Sequence, residues 1–230
     1  MRERCVNLVG KDTLIELINC TVAQNNLGGW PAFLVIQGGS MRLTNSVVWG
    51  NTPVPLEIKG EWVIDTGLAG VFVGDGEMTA DHCRVQYWDD TVAGTGTIEC
   101  DPMFINALGD DSVAGTADDD LRIGPGSACI DAGDNSAVPF DVVMDVAGRT
   151  RFVDIASVPD TGIGTAPLID IGSHERQLCD VNGDGLMNVV DLLLVIGAWG
   201  TSQASADLTG DGVVNVADLL AVIAAWGPCT

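Results

Sequence analysis

Alternation of apolar and polar positions organises the first hundred residues. Leu14-Ile15-Glu16-Leu17-Ile18-Asn19-Cys20-Thr21-Val22 aligns, 26 residues on, with Ser40-Met41-Arg42-Leu43-Thr44-Asn45-Ser46-Val47-Val48. A two-residue period puts Ile15 and Leu17 over Met41 and Leu43 in an apolar stripe, with Glu16 over Arg42 on the opposite face. Upstream, Leu8-Val9 falls under Leu34-Val35; downstream, Asn25 falls over Asn51. Asn19 over Asn45 and Asn25 over Asn51 are expected to form side-chain amide ladders at corners. A more divergent turn, Met78-Thr79-Ala80-Asp81-His82-Cys83-Arg84-Val85, matches Cys83 to Ser46 and Val85 to Val48 after a longer insertion. Short β segments at this period, with Gly/Asn-rich corners and no helical spacing between them, predict a parallel solenoid whose turns cover one another's apolar faces. An antiparallel sandwich with accidental similarity is the alternative.

The last fifty residues follow a tighter rule. Asp180-Val181-Asn182-Gly183-Asp184-Gly185-Leu186-Met187-Asn188-Val189-Val190-Asp191 recurs 27 residues later as Asp207-Leu208-Thr209-Gly210-Asp211-Gly212-Val213-Val214-Asn215-Val216-Ala217-Asp218. Each copy runs into a short apolar segment, Leu192 to Trp199 and Leu219 to Trp226, expected to be helical. Oxygen side chains at loop positions 1, 3, 5, 9 and 12, with a backbone carbonyl at position 7, can wrap one cation. The candidate ligands are therefore Asp180, Asn182, Asp184, Leu186 (carbonyl), Asn188 and Asp191, and then Asp207, Thr209, Asp211, Val213 (carbonyl), Asn215 and Asp218. Gly at position 6 permits the sharp turn. An all-oxygen donor set favours a hard cation, and Ca2+ suits a protein cage better than Mg2+, which gives up its water reluctantly. Residues 177–230 contain six Asp, all at loop positions 1, 5 and 12, and no Glu, Lys or Arg. Two Ca2+ ions would offset four of those six charges. Thr209 at position 3 offers a poorer ligand than Asn182, so the second site is expected to be the weaker.

Composition narrows the function classes. The chain has 230 residues, 47% of them apolar, and a formal charge of −22 from 32 acids and 10 bases. That balance argues against nucleic acid and anionic membrane surfaces, which require Lys and Arg to replace counterions. No apolar run reaches the roughly 18 residues of a membrane span. Met1-Arg2-Glu3-Arg4-Cys5 is positively charged, yet no apolar stretch of signal-peptide length follows it.

Two resemblances sharpen this picture. Asp101-Pro102-Met103-Phe104-Ile105-Asn106, Leu121 through Asp134 (LRIGPGSACIDAGD) and Asp170-Ile171-Gly172-Ser173-His174-Glu175 look like the closing segment of right-handed parallel β-helix repeat proteins. Those are large bacterial surface or secreted proteins, often with a separate C-terminal attachment module. With about three turns in view and no N-terminal cap, the chain is expected to be the C-terminal end of a longer, exported protein. The duplicated loop–helix unit resembles the type I dockerin, a calcium-binding module that docks into cohesin domains, usually in polysaccharide-degrading systems. Asp at position 12 suits that family. The resemblance places partner contacts at positions 10 and 11, here the apolar Val189-Val190 and Val216-Ala217. The expected architecture is mainly β: a right-handed parallel β-helix over residues 1–176, then a small α-helical dockerin-like domain of paired EF-hand-like units over 177–230.

Seven cysteines also suggest export. Cys179 and Cys229 bracket the C-terminal module, and a bond between them would close a loop of roughly 50 residues, contributing about 4 kcal/mol in the chain-entropy picture. Cys20 and Cys83 lie two turns apart, beyond disulfide reach, and are expected as buried thiols. Cys100 and Cys129 could pair across the closing segment, and Cys5 lacks an obvious partner. Asp110 through Asp120 holds five Asp in eleven residues, either a third Ca2+ site or a solvated acidic loop. His82 and His174 stand in no metal-type spacing, and no nucleophile elbow or phosphate loop is found. Three readings follow. The first is a non-catalytic β-helix protein attached through a calcium-folded module to a cohesin-type partner, at the cell surface or outside the cell. The second is a glycosidase or polysaccharide lyase recruited by that module, acting on polysaccharide, with Arg42 and Arg84 as outward-facing basic candidates. The third is a calcium-stabilised cap that docks on its own β-helix.

Overall fold

The computed structural model describes residues 6–9, 12–25, 34–37, 39–51, 56–58, 61–63, 71–73, 77–86, 88, 93–97, 99–155, 158–177, 180–182, 186–203 and 205–228. Strands come in triplets: β1 (Val6–Val9), β2 (Leu14–Ile18) and β3 (Thr21–Ala23), then β4 (Leu34–Gln37), β5 (Ser40–Thr44) and β6 (Val47–Trp49). After an antiparallel hairpin of β7 (Leu56–Ile58) and β8 (Glu61–Val63), a third triplet follows: β9 (Val71–Val73), β10 (Glu77–Asp81) and β11 (Arg84–Val85). Like-numbered members pair in parallel, giving three three-stranded sheets ordered β1-β4-β9, β2-β5-β10 and β3-β6-β11.

The predicted register holds where the apolar stripe is strongest. Ile15 pairs with Met41 and Leu17 with Leu43, while Met78 pairs with Met41 and Val85 with Val48. Met41, Leu43, Val48, Met78, Ala80, Cys83 and Val85 form one buried cluster, with Ile15, Leu17 and Val22 packed on it. Glu16 and Arg42 face each other across the exposed side at 3.5 Å. The upstream alignment is corrected by two residues: Leu8 pairs with Ile36 and Val9 with Gln37. The connection from β1 to β2 is two residues longer than that from β4 to β5.

One of the two expected amide ladders forms. Asn25 Nδ2 donates to Asn51 Oδ1 at 2.9 Å. Asn19 and Asn45 do not bond each other; Asn45 Oδ1 accepts from Asp134 N–H, its Nδ2 donates to the Asp134 carbonyl, and Asn19 Oδ1 is buried without a partner. Asn19, Asn45 and His82 share one register position, and all three are left-handed, with φ of 54°, 50° and 49°. Asn is chosen there because it tolerates that conformation, and its amide is then free to tie the corner to the closing segment.

That segment carries β12 (Phe104–Asn106) and β13 (Asp120–Ile123), an antiparallel pair. It packs Ile123, Cys129, Ile130, Ala132, Ile155 and Ile171 around Val47. Its polar interior is unusual: Arg151 is 1% exposed, and its Nε lies 3.8 Å from Glu175 Oε2. Burial and the charge of Asp170 push the Glu175 carboxyl up, and burial pushes Asp170 up as well.

Cys20 and Cys83 are separate thiols, half-buried and buried, as their spacing predicts. The Cys100–Cys129 pairing is corrected: both are free thiols, Cys129 being buried in the core around Ile130. Cys5, Cys179 and Cys229 lie outside the described residues. Arg84, expected to face outward, is instead buried, donating to the carbonyls of Cys83 and Ala128.

Candidate metal centre and docking face

The C-terminal unit is built twice from the same local rules. Its helices, α1 (Val189–Gly197) and α2 (Val216–Ala224), begin three residues earlier than the apolar run suggests. Asn188 and Asn215 explain this. Each is an N-cap whose Oδ1 accepts from the N–H two residues on, Val190 at 2.8 Å and Ala217 at 2.7 Å. Asp191 and Asp218 complete capping boxes by accepting the cap residue's own N–H, both at 2.8 Å. Position 9 thus has a structural task in addition to the ligand role expected for it.

The aspartate at position 12 also gathers its loop. Asp191 Oδ1 accepts from Val181 and Asn182 N–H; Asp218 Oδ1 accepts from Thr209 N–H and from the Thr209 hydroxyl. Burial raises the Asp218 pKa, but these N–H donors outweigh it and hold the carboxyl below its ordinary value. The first-position aspartates, Asp180 and Asp207, and the twelfth, Asp191 and Asp218, are all buried. In the second loop, oxygens of Asp207, Asp211 and Asp218 lie within 4.8 Å of one another. Two oxygens bound to one Ca2+ at about 2.3–2.6 Å lie at most about 5 Å apart, so the three fit one such ion. Val213, at position 7, has a carbonyl that accepts from Asn215 Nδ2 at 3.0 Å, and Gly212 takes φ +89° at the sharp turn. Thr209 turns its hydroxyl onto Asp218 Oδ1 at 3.0 Å. In the first loop Asp184 lies outside the described residues, and Leu186, at position 7, accepts from Asn188 Nδ2 at 3.4 Å.

The outer faces of the helices are apolar. Val189, Leu193, Ile196 and Trp199 are exposed, and so are their counterparts Val216, Leu220, Ile223 and Trp226. Of the four residues expected to meet a partner, Val189, Val190 and Val216 are exposed and Ala217 is half-buried. Leu193, Ile196 and Trp199 were missed as surface residues. Their signal was available: each recurs 27 residues on, at helical spacing, whereas a helix with one buried stripe needs only Val195 or Val222 inside. The unit's own core is compact, with Val181, Met187, Val195, Ala206, Leu208, Val214 and Val222 all buried.

The unit is anchored to the rest of the chain by charge. Arg149 Nη2 lies 2.8 Å from Asp180 Oδ2, with both side chains buried. Gly210 passes so close to Pro125 that a Cβ there would lie 3.1 Å from the proline ring. The acidic loop 110–120 makes its own bonds. Asp118 accepts from Asp110 and Asp111 N–H, Asp119 from Gly115 and Thr116 N–H, and Asp120 holds Arg122 at 2.6 Å. A cleft of about 510 Å3 beside β11 is lined by His82, Arg84, Ser127 and apolar groups. His82 Nδ1 meets the Ala132 carbonyl at 3.2 Å, a structural contact.

The family model of the type I dockerin domain matches residues 178–226. No curated protein and no solved structure matches the chain. A dockerin domain is therefore present, and such domains in general bind Ca2+ and mediate attachment to cohesins. Among the described residues no helix is long and apolar enough to cross a membrane.

Proposed function

We propose that this chain is a cell-surface or extracellular protein that attaches itself to a cohesin-type partner through residues 177–230, folded around two Ca2+ ions. Residues 1–176 are, in this reading, the last coils and closing segment of a right-handed parallel β-helix that carries the module. The strand triplets and their parallel pairing support that architecture. The ligand sets are the two derived from the loops, Asp180 to Asp191 and Asp207 to Asp218. When bound, the ions supply positive charge to loops that have no basic residue of their own; Asp191 and Asp218 orient the loop backbone, and Asn188 and Asn215 start the helices. A Cys179–Cys229 bond belongs to the same reading, supported by the pairing of β14 (Leu186–Met187) with β15 (Gly227–Pro228), which returns the end of the unit to its first loop.

The observation that carries attachment is the duplicated apolar stripe, Leu193 with Ile196 and Leu220 with Ile223, exposed on both helices. Exposed apolar surface of this kind marks interaction sites. Two equivalent faces would let either helix present itself. The test is binding of the full chain to an immobilised type I cohesin, with and without chelator. Binding that is lost in chelator, and lost in a Leu193→Asp/Leu220→Asp variant that still binds calcium, supports attachment. Binding that survives both changes overturns it.

The Arg149–Asp180 contact favours a second reading, in which the module docks on its own chain as a calcium-stabilised cap. Arg149→Ala would then speed proteolysis between the module and the closing segment. An unchanged cleavage rate rejects the cap.

A further inference from the structure

Another cluster of carboxylates lies far from the duplicated loops, in the closing segment. Oxygens of Asp131, Asp154 and Asp160 lie within 4.8 Å of one another, Asp131 buried and the other two exposed. The backbone brings them together. Asp131 Oδ2 accepts from Ile155 N–H at 3.3 Å, which fixes the residue after Asp154. The Asp131 carbonyl accepts from Thr161 N–H at 3.0 Å, which fixes the residue after Asp160. The Asp131 N–H is itself held by Asp170 Oδ1 at 2.9 Å.

One atom in this arrangement is unaccounted for. Asp131 is 0% exposed, and its Oδ1 has no hydrogen-bond partner. A buried acceptor left unmade costs free energy comparable to a lost hydrogen bond, and more when the group is charged. Asp154 and Asp160 set two further carboxylates beside that buried oxygen-bearing group, so like charges crowd there. A cation among the three would satisfy the orphaned oxygen and offset the repulsion together.

We propose that Asp131, Asp154 and Asp160 form a site for a hard divalent cation, Ca2+, which ties three separated stretches of the closing segment into one structure. The donor set is all oxygen, which selects Ca2+ or Mg2+ over softer metals. The spread of the oxygens fits ligands around a single Ca2+, and two exposed carboxylates leave room for water to complete six to eight ligands. A site with this few protein ligands belongs to the weak extracellular class, with Kd on the order of 10⁻⁴–10⁻³ M. It is independent of the dockerin loops and stands or falls without them.

The test is calcium stoichiometry of the full chain, measured by calorimetry at millimolar Ca2+, for the parent and for Asp154→Asn/Asp160→Asn. Both substituted residues are exposed, so the variant folds; its sheet signal in circular dichroism checks this. The variant is expected to bind one ion fewer, and the calcium-induced rise in melting temperature of the strand region to shrink. The acidic-loop variant Asp118→Asn/Asp119→Asn is expected to lose none. A second arm uses Asp191→Asn/Asp218→Asn, which weakens both dockerin loops and should leave one weak site that disappears on adding the Asp154 and Asp160 changes. Unchanged stoichiometry in Asp154→Asn/Asp160→Asn overturns the proposal, as does loss of all calcium binding in the second arm.

Discussion

Repetition is used twice in this chain, with opposite electrostatic results. In the strand triplets the repeat places Met78 over Met41 and Ala80 over Leu43, all buried, and leaves Glu16 and Arg42 in solvent. In the C-terminal pair each repeat buries carboxylates instead: Asp191 and Asp218 are 0% exposed, in a unit with no Lys or Arg. Stacked apolar side chains are favourable without help. Clustered buried carboxylates are not, and need hydrogen-bond donors, a cation or a proton to offset their burial and mutual repulsion. The first region is thus held by apolar contact, and the second gathers backbone N–H donors around its carboxylates and, in the proposed reading, a cation.

Chelation is the strongest way to break that contrast. Removing calcium is expected to abolish most of the helical signal of α1 and α2 while the parallel sheets persist; loss of both signals together would show that the regions are one cooperative unit. Next in size, Leu43→Ala in the centre of the strand core is expected to cost roughly 2–5 kcal/mol, measured by urea unfolding, with the dockerin loops still binding calcium. Asp218→Asn should lower the calcium affinity of the second loop at least tenfold and leave the first loop occupied. Equal loss at both loops would mean they are coupled.

A smaller effect sharpens the closing segment. An ordinary glutamate loses its proton near 4.5, whereas burial and the charge of Asp170 raise the value for Glu175 well above that. Between those values the folded chain binds more protons than the unfolded one, so this group's contribution falls as pH rises. The parent melting temperature should therefore drop relative to that of Glu175→Gln between pH 5 and pH 9; a constant difference would refute it. The smallest effect is on the exposed Glu16–Arg42 pair, where Glu16→Gln should change stability by less than about 0.5 kcal/mol.

Much of this was legible because each repeat puts a strong physical demand on each position. The apolar stripe fixed the pairing of Ile15 with Met41 and of Met78 with Met41, since a slip of one residue would expose the whole core face. The dockerin unit was legible because its loop pattern fixes residue type and spacing together. Where one residue type serves two purposes the pattern misleads: Asn45 has the spacing of a ladder and is a left-handed corner bonded to Asp134. Helix starts were set three residues late because capping by Asn188 and Asn215 is a local hydrogen-bond effect, invisible to apolar periodicity. The Asp131–Asp154–Asp160 cluster was also hidden, since no repeat or motif spacing connects residues that only backbone bonds across turns bring together.

The antiparallel contact of Leu186–Met187 with Gly227–Pro228 has a mechanical consequence. It makes the duplicated unit a closed ring of structure, in which a strand within the first loop is clasped by the strand following the second helix. Peeling the chain from its far end removes that clasp before it reaches either loop. Under a steady pull or a progressive exopeptidase, the first loop would lose its support no later than the second. The two halves should then give way at a single threshold, like a knot slipping, instead of one after the other like beads from a string.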